Sequence, residues 1–211
     1  MKTVVEEIIE GWRKKPKGPI PRISPIKLLV ALKIIEKEEP IGRYDLAKKL
    51  NLTDGTVRGM IERLKDRNLI EVSKKGCTIS EKGREAIREF LTQKRILDIK
   101  ELKKESIGQL APGEKIYGIQ ISNAKDKVEN GLLQRDEAIK AGAHGTTTLI
   151  YLNKKLLFPK TFEEADKIYK QETKYLKEQF KLKEGDVLIL CWAENYVNAI
   201  EGALKAALTL T

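Results

Sequence analysis

Through about the first ninety residues, apolar side chains recur at three- and four-residue intervals, the period of a helix. Val4, Val5, Ile8, Ile9 and Trp12 predict a short amphipathic helix over residues 2–12, and the following RKKPKGPIPR, rich in proline and lysine, predicts an extended basic arm. Ser24 and Pro25 suit an N-cap and a first helical position, and SPIKLLVALKIIEKEE predicts a helix that buries Leu28, Leu29, Leu32 and Ile35 and stops at Pro40. Arg43 to Leu50 predicts a second helix resting on Leu46, Ala47 and Leu50. Asn51-Leu52 is then a turn, and Thr53 caps a third helix running to about Arg67, with Val57, Met60, Ile61 and Leu64 on one side. Ile70 to Lys74 and Cys77 to Ser80 read as strands about a Lys75-Gly76 hairpin tip. Ser80 caps a fourth helix, EKGREAIREFLTQ, that buries Ala86, Ile87, Phe90 and Leu91.

From about residue 95 the period changes. RILDIKELKKESIGQLAPGEK fits either an extension of the fourth helix or a strand. KIYGIQIS alternates as a strand, and DKVENGLLQRDEAIKAGA predicts a helix ending at Gly142. TTTLIYL and KLLFP predict two strands joined at Asn153-Lys154. TFEEADKIYKQETKYLKEQF opens on a capping-box pattern, Thr161 to Glu164. DVLILCWA is a buried strand, and NYVNAIEGALKAALTL a closing helix whose Val197, Ile200, Leu204 and Leu208 pack on a sheet. Its alanines also allow a helix-to-helix contact between copies. The fold class expected is α+β: an N-terminal winged helix over residues 1–94 and a C-terminal two-layer α/β sandwich over residues 95–211.

Helix, turn, helix and basic hairpin, in that order, form a device that sets one helix in a DNA major groove. The charge supports a polyanionic partner. Residues 1–100 hold 24 Lys and Arg against 15 Asp and Glu, whereas residues 101–211 hold 17 against 16. A Lys- and Glu-rich solubilising surface explains the total charge but not this asymmetry. On helix 53–67 the face opposite the apolar one carries Gly55, Arg58, Gly59, Glu62 and Arg63. Arg58 can pair bidentately with guanine. Thr53 and Thr56 can donate to phosphates beside free backbone N–H groups. Arg43, Arg63, and Lys74 and Lys75 of wing 70–80 complete the expected double-stranded DNA contact set, the wing reaching the backbone or minor groove. Glu62 and Asp66 argue for a solvated face instead, because phosphate would repel both.

LTDGTVRGMIERLKDRNLIEVSKKGCTISEKGREAI resembles the winged helix-turn-helix transcriptional regulators of prokaryotes. The likeness rests on Thr56-Val57-Arg58, the Ile61 to Leu64 spacing, Leu69-Ile70 entering the wing, and Thr78 to Gly83 leaving it, within residues 24–92. Asn68 stands where the family usually has glycine, and asparagine accepts the same left-handed conformation. The resemblance implies DNA binding, commonly as a homodimer. Through QRDEAIKAGAHGTTTLIY the chain also resembles archaeal proteins that join such a domain to an uncharacterised C-terminal domain.

In the second half, Arg135, Gly142, His144, Gly145, Thr146 and Thr147 form a candidate pocket for a small anionic effector, since glycines and hydroxyls can cradle an anion. A helix C-cap and a turn into a β-branched strand explain the same residues. His144 is the one histidine and lacks partners at metal-ligand spacing. Cys77 and Cys191 are expected to be buried free thiols. No nucleotide-binding, zinc-protease or nucleophile-elbow motif is present, so neither enzymatic activity nor a cofactor is expected. The alternative is an enzyme or protein-interaction module with an accessory winged helix. Without an apolar run of about 20 residues or a signal-peptide core, a cytoplasmic place and no membrane partner are expected.

Overall fold

Helix α1 (Pro25–Glu38) is apolar almost all round, burying Ile26, Leu28, Leu29, Val30, Ala31, Leu32, Ile34 and Ile35, so it forms the centre of the first unit. Ser24 caps it, its Oγ accepting from Lys27 N at 3.0 Å. The computed structural model describes residues 5–7 and 23–211. The expected helix over 2–12 is described only at residues 5–7, which are helical, and the basic arm lies outside the described residues. The chain divides into two units, Met1–Gln93 and Lys94–Thr211.

In the first unit α2 (Arg43–Leu50) and α3 (Asp54–Asp66) bury Leu46, Ala47 and Leu50, and Val57, Met60, Ile61 and Leu64, respectively. Asn51 closes α2 in the left-handed conformation, φ 51°, its N–H reaching back to Lys48. Asn68 takes φ 58° after α3, which an asparagine tolerates. Strands β1 (Ile70–Ser73) and β2 (Gly76–Ile79) pair antiparallel from Ile70↔Ile79 to Ser73↔Gly76. The hairpin tip is therefore Lys74-Lys75, one residue before the expected Lys75-Gly76. Ser80 accepts from Gly83 N at 3.0 Å and opens α4 (Glu81–Gln93). That helix buries Ala86, Ile87 and Phe90, while Leu91 is half-buried.

In the second unit the ambiguous stretch after Gln93 is a strand, β3 (Ile96–Leu102), followed by the short α5 (Lys104–Ile107). With β4 (Lys115–Ile121), β5 (Gly145–Leu152), β6 (Lys155–Leu157) and β7 (Val187–Ala193) it forms an antiparallel sheet in the order β3-β4-β7-β5-β6. Helices α6 (Leu132–Lys140) and α9 (Tyr196–Leu208) lie on one face. Small residues let α9 come close: a side chain at Gly202 would meet Cys191 Sγ at 2.8 Å. The alanines of α9, Ala199, Ala203, Ala206 and Ala207, are buried within the protomer, which removes the expected helix contact between copies. The other sheet face is covered too. Leu176 and Phe180, on and just after α8 (Lys170–Gln179), cluster with Ile107, Leu110, Ile116, Leu149, Leu188 and Leu190, and Phe180 lies over Gly118. Buried on both faces, β7 is a continuous apolar run.

Two expected helices are shorter than their patterns. The 126–143 stretch gives a single 3₁₀ turn and then α6, because Gly131 takes φ 79° and Asn130 Oδ1 caps Leu132 N at 2.9 Å. The capping box at Thr161 does not form. Glu164 pairs with Leu157 in an isolated bridge and with Lys155, so helix begins only at α7 (Ala165–Ile168). The β5–β6 turn is Asn153-Lys154, at φ 51° and 62°, the signs a two-residue hairpin needs.

Candidate nucleic-acid interface

Thr53 is the N-cap of α3. Its Oγ1 accepts from Thr56 N at 3.3 Å and shares a 2.8 Å hydrogen bond with Thr56 Oγ1. The two hydroxyls thus sit together at the positive end of the helix dipole. Along α3 the middle of the outward face is bare backbone. A side-chain carbon added at Gly55 or at Gly59 would meet no atom within 4 Å. Arg58 and Arg63 flank that strip on opposite sides, Arg58 exposed and Arg63 half-buried. Glu62 is engaged: Arg58 Nε donates to Glu62 Oε1 at 3.1 Å, with both side chains about two-thirds exposed (67% and 62%).

At the start of α2, Arg43 Nε stands 2.8 Å from Asp54 Oδ1, an ion pair that ties α2 to the first turn of α3. Arg43 Nη2 also donates to Tyr44 Oη at 3.1 Å, and the guanidinium lies 4.8 Å from the Tyr44 ring centre. The Tyr44 hydroxyl first, and then Asp54, hold the Arg43 guanidinium above its ordinary pKa. Tyr44 itself is 70% exposed.

The wing is tied down as well as paired. Ile41 and Cys77 exchange backbone hydrogen bonds of 3.0 and 2.8 Å, an isolated bridge that joins the α1–α2 connection to the hairpin. Gly76 is required there: it takes φ 132°, and a side-chain carbon would fall 2.6 Å from Ile41 O. Lys74 and Lys75 are exposed at the tip, and Ser73 Oγ accepts from Lys75 N at 3.1 Å. Between α2, α3 and the wing lies an open cleft of ≈ 430 Å³, rimmed by Arg43, Arg58, Lys74 and Lys75 and floored by Ile61, Val72 and Cys77. Burial pushes the Cys77 thiol above its ordinary pKa. Arg43, Arg58, Lys74 and Lys75 thus share one concavity, and Thr53 and Thr56 lie at the near end of α3. Sequence reasoning missed Tyr44 and the partnership of Arg43 with Asp54. The available signal was an aromatic beside an arginine at a polar position of α2.

The structure disperses the residues singled out in the second unit. Arg135, on the exposed side of α6, pairs with Asp136 at 3.1 Å. Gly142, φ 92°, ends α6 in a Schellman turn, with Gly142 N donating to Ile139 O and Ala143 N to Ala138 O. Gly145 makes room for Trp192, whose Cζ2 would lie 2.6 Å from a side-chain carbon there. Thr146 and Thr147 alternate across β5. Thr147 Oγ1 donates to Leu110 O at 2.5 Å on one face. The buried Thr146 Oγ1 has no hydrogen-bond partner among the described residues. His144 lines an open cleft of ≈ 380 Å³ with Lys104, Glu114 and Glu194. Lys104 holds the Glu114 carboxyl below its ordinary pKa. Cys191 is fully buried and its thiol is pushed up to about 12. Among the described residues no three His, Cys, Asp or Glu side chains are grouped to hold a metal, and no helix is long and apolar enough to cross a membrane.

Comparison with known proteins divides at the same place. Residues 29–96 match the family model described as the CggR N-terminal DNA binding domain, and residues 112–210 match a domain of unknown function, DUF4443. The central glycolytic genes regulator of Bacillus subtilis (strain 168) is 36% identical over 56 residues, covering 26% of this chain and 16% of the regulator. A hypothetical protein from Pyrococcus horikoshii OT3 superposes with a TM-score of 0.69 at 23% identity, over 90% of this chain and 93% of that one, so the two share a fold.

Proposed function

Because the chain joins a winged helix-turn-helix domain of the DNA-binding regulator type to a DUF4443 domain, we propose that it reads double-stranded DNA with α3 in the major groove. The observation that carries this reading is the bare strip at Gly55 and Gly59. Glycine inside a helix costs about 1 kcal/mol relative to alanine, less in the first turn. Among the described residues nothing fills that space, since a side-chain carbon at either position would meet no atom within 4 Å. Close approach of the helix backbone to a duplex explains why both are glycine. Arg58 and Arg63 then reach base edges or phosphates from either side of the strip. Arg43, Thr53 and Thr56 hold the backbone at the helix N-terminus, and Lys74 and Lys75 hold it from the wing.

Opposite responses of stability and affinity test the reading. Gly59→Ala should raise the melting temperature, and Gly59→Leu should fold as well as the parent. Both should weaken duplex binding, Leu by at least about tenfold, the size of one lost bidentate base contact. A Gly59→Leu protein that binds its selected duplex as tightly as the parent rejects a groove-seated α3.

The reading includes a homodimer on a two-fold operator. Its contact is α6, which exposes Leu132, Leu133 and Ile139 while turning Gln134 and Ala138 inward. Sedimentation of Leu133→Lys as a monomer beside a dimeric parent supports it; a parent monomeric with and without DNA rejects it. For the small anionic effector the His144 cleft is the candidate site, where Lys104 and a ring N–H of His144 are the available donors beside Glu114 and Glu194. A melting shift with phosphorylated or carboxylate metabolites, removed by His144→Ala, supports that site. Absence of any shift across such a panel rejects it.

A further inference from the structure

We propose that the second unit carries its own DNA-contact surface, made by the loop from Phe158 to Glu164 and by α8. The proposal rests on the DNA-binding reading above but concerns different residues. The loop is an unusual piece of backbone. Lys160 and Phe162 both lie in the left-handed region, at φ 73° and 54°. A bulky side chain is rarely found there and is held only when its surroundings demand it. Those surroundings are visible: Phe162 N donates to Phe158 O, Phe158 N to Glu163 O, and Leu157 bridges Glu164. Phe158 anchors the turn on the core, whereas Phe162 is left 57% exposed and Ile168, just beyond the loop, 51%.

Beyond this loop and α7, helix α8 carries a lysine ridge. At about 100° per residue, Lys170, Lys174 and Lys177 fall on one side, and Lys181 follows the helix in the next, extended segment. Lys177 is bound to Asp166 and to Lys154 O. Lys170, Lys174 and Lys181 are exposed and form no ion pair with the described residues. Of the acids on α8, Glu178 lies beside Lys174 and Glu172 is turned away. Four residues of helix advance about 6 Å, so Lys170 and Lys174 stand apart by a distance close to that between phosphates on one strand. An exposed aromatic in the loop before the helix, together with exposed cations, suits a sugar-phosphate backbone: the cations meet phosphates and Phe162 packs on a sugar or wedges at a base step. Duplex DNA is the partner favoured, because the chain already carries a DNA-binding domain.

The test uses the full chain and the duplex selected by the parent protein, with affinity measured against salt. Each phosphate neutralised contributes about 0.9 to the slope of log K on log salt. The triple variant Lys170→Gln, Lys174→Gln, Lys181→Gln should therefore flatten that slope by about 2 to 3, with the melting temperature unchanged. Phe162→Ala should weaken binding several-fold at every salt concentration and leave the slope alone. Arg58→Glu serves as the reference. If it alone abolishes binding while the triple variant keeps the parent slope, the ridge proposal falls and the winged-helix reading stands. If Arg58→Glu has no effect and the triple variant does, the winged-helix reading falls instead. Binding to vesicles containing anionic phospholipid that the triple variant loses, with its duplex slope unchanged, assigns the surface to membranes and overturns the proposal.

Discussion

Glu62 is the residue on which an α3-in-groove complex is most sharply tested, since it places a negative charge on the face that would meet phosphate. In the free protein it is held by Arg58 at 3.1 Å, and both side chains are well exposed. Glu62→Gln leaves the shape of the helix unchanged and removes the charge. Two effects should then favour binding. At about 8 Å from a phosphate, in a dielectric near that of water, one unit charge repels another by about 0.5 kcal/mol. Arg58 also no longer has to leave its partner, and an exposed pair of this kind is worth at most about 1 kcal/mol. Together these amount to roughly 0.5–1.5 kcal/mol, or about 2- to 12-fold tighter binding. The gain should be largest at low salt and shrink at and above about 0.1 M, where the screening length is about 10 Å. Fluorescence anisotropy against salt, on one duplex with parent and variant, reads all of this. Binding that weakens in Glu62→Gln, or that does not change at any salt, would refute the geometry, because it would place Glu62 away from phosphate or on a base that it recognises.

Three further outcomes follow from contacts within the units. Glu39 Oε2 accepts from Ile79 N at 2.8 Å and Oε1 binds Arg84, and the Ile79 hydrogen bond, ahead of Arg84, holds its carboxyl below the ordinary pKa. Glu39→Ala should cost about 1–3 kcal/mol near neutral pH by stranding the wing N–H. Because the folded-state pKa is lowered, the parent's advantage is complete above the ordinary carboxylate range and disappears as pH falls through the folded value; denaturant titrations that show a gap constant down to strong acid would contradict it. Gly83 sits against Leu69 O and within 2.8 Å of Ile79 Cγ1 for an added carbon, so Gly83→Ala should lose at least about 2 kcal/mol despite its better helix propensity, read by calorimetry. Gly145→Ala should displace the Trp192 indole and shift the intrinsic fluorescence at a cost of about 1–3 kcal/mol; an unchanged spectrum would mean that the strand moves and the ring does not.

What the sequence made legible is what local physics controls. The helices of the first unit were readable from their 3.6-residue apolar period, and α1, α3 and α4 also from a capping serine or threonine, at Ser24, Thr53 and Ser80; α2 opens at Gly42 without a side-chain cap. The strand β7 was readable because cover on both faces writes an unbroken apolar run. Where long-range pairing decides, the reading failed or stayed open. Residues 96–102 carry Asp98, Lys100 and Glu101, and only pairing with β4 makes them a strand. The bridge from Leu157 to Glu164 likewise overrides a sound capping-box pattern. Among site residues, exposure of the α3 face followed from the helical wheel. The Arg43–Asp54 pair did not, because it joins two helices across a turn. The glycine-threonine segment at 142–148 shows the limit most plainly. Its residue types suit an anion cradle, yet strand alternation and a Schellman turn send their side chains and N–H groups to different places.

The tether between Ile41 and Cys77 has a consequence for how such a protein would measure DNA. A wing attached only through its own two strands can hinge, and so follow whatever groove width it meets. Here the hairpin is sewn to the α1–α2 connection, Gly76 lies against that connection without room for a side chain, and α2 is clasped to α3 through Arg43 and Asp54. Wing and recognition helix then form the two jaws of a rigid caliper. In the proposed complex, a mismatch between jaw spacing and groove spacing has to be absorbed by bending the DNA, so discrimination would extend to base steps that no side chain touches.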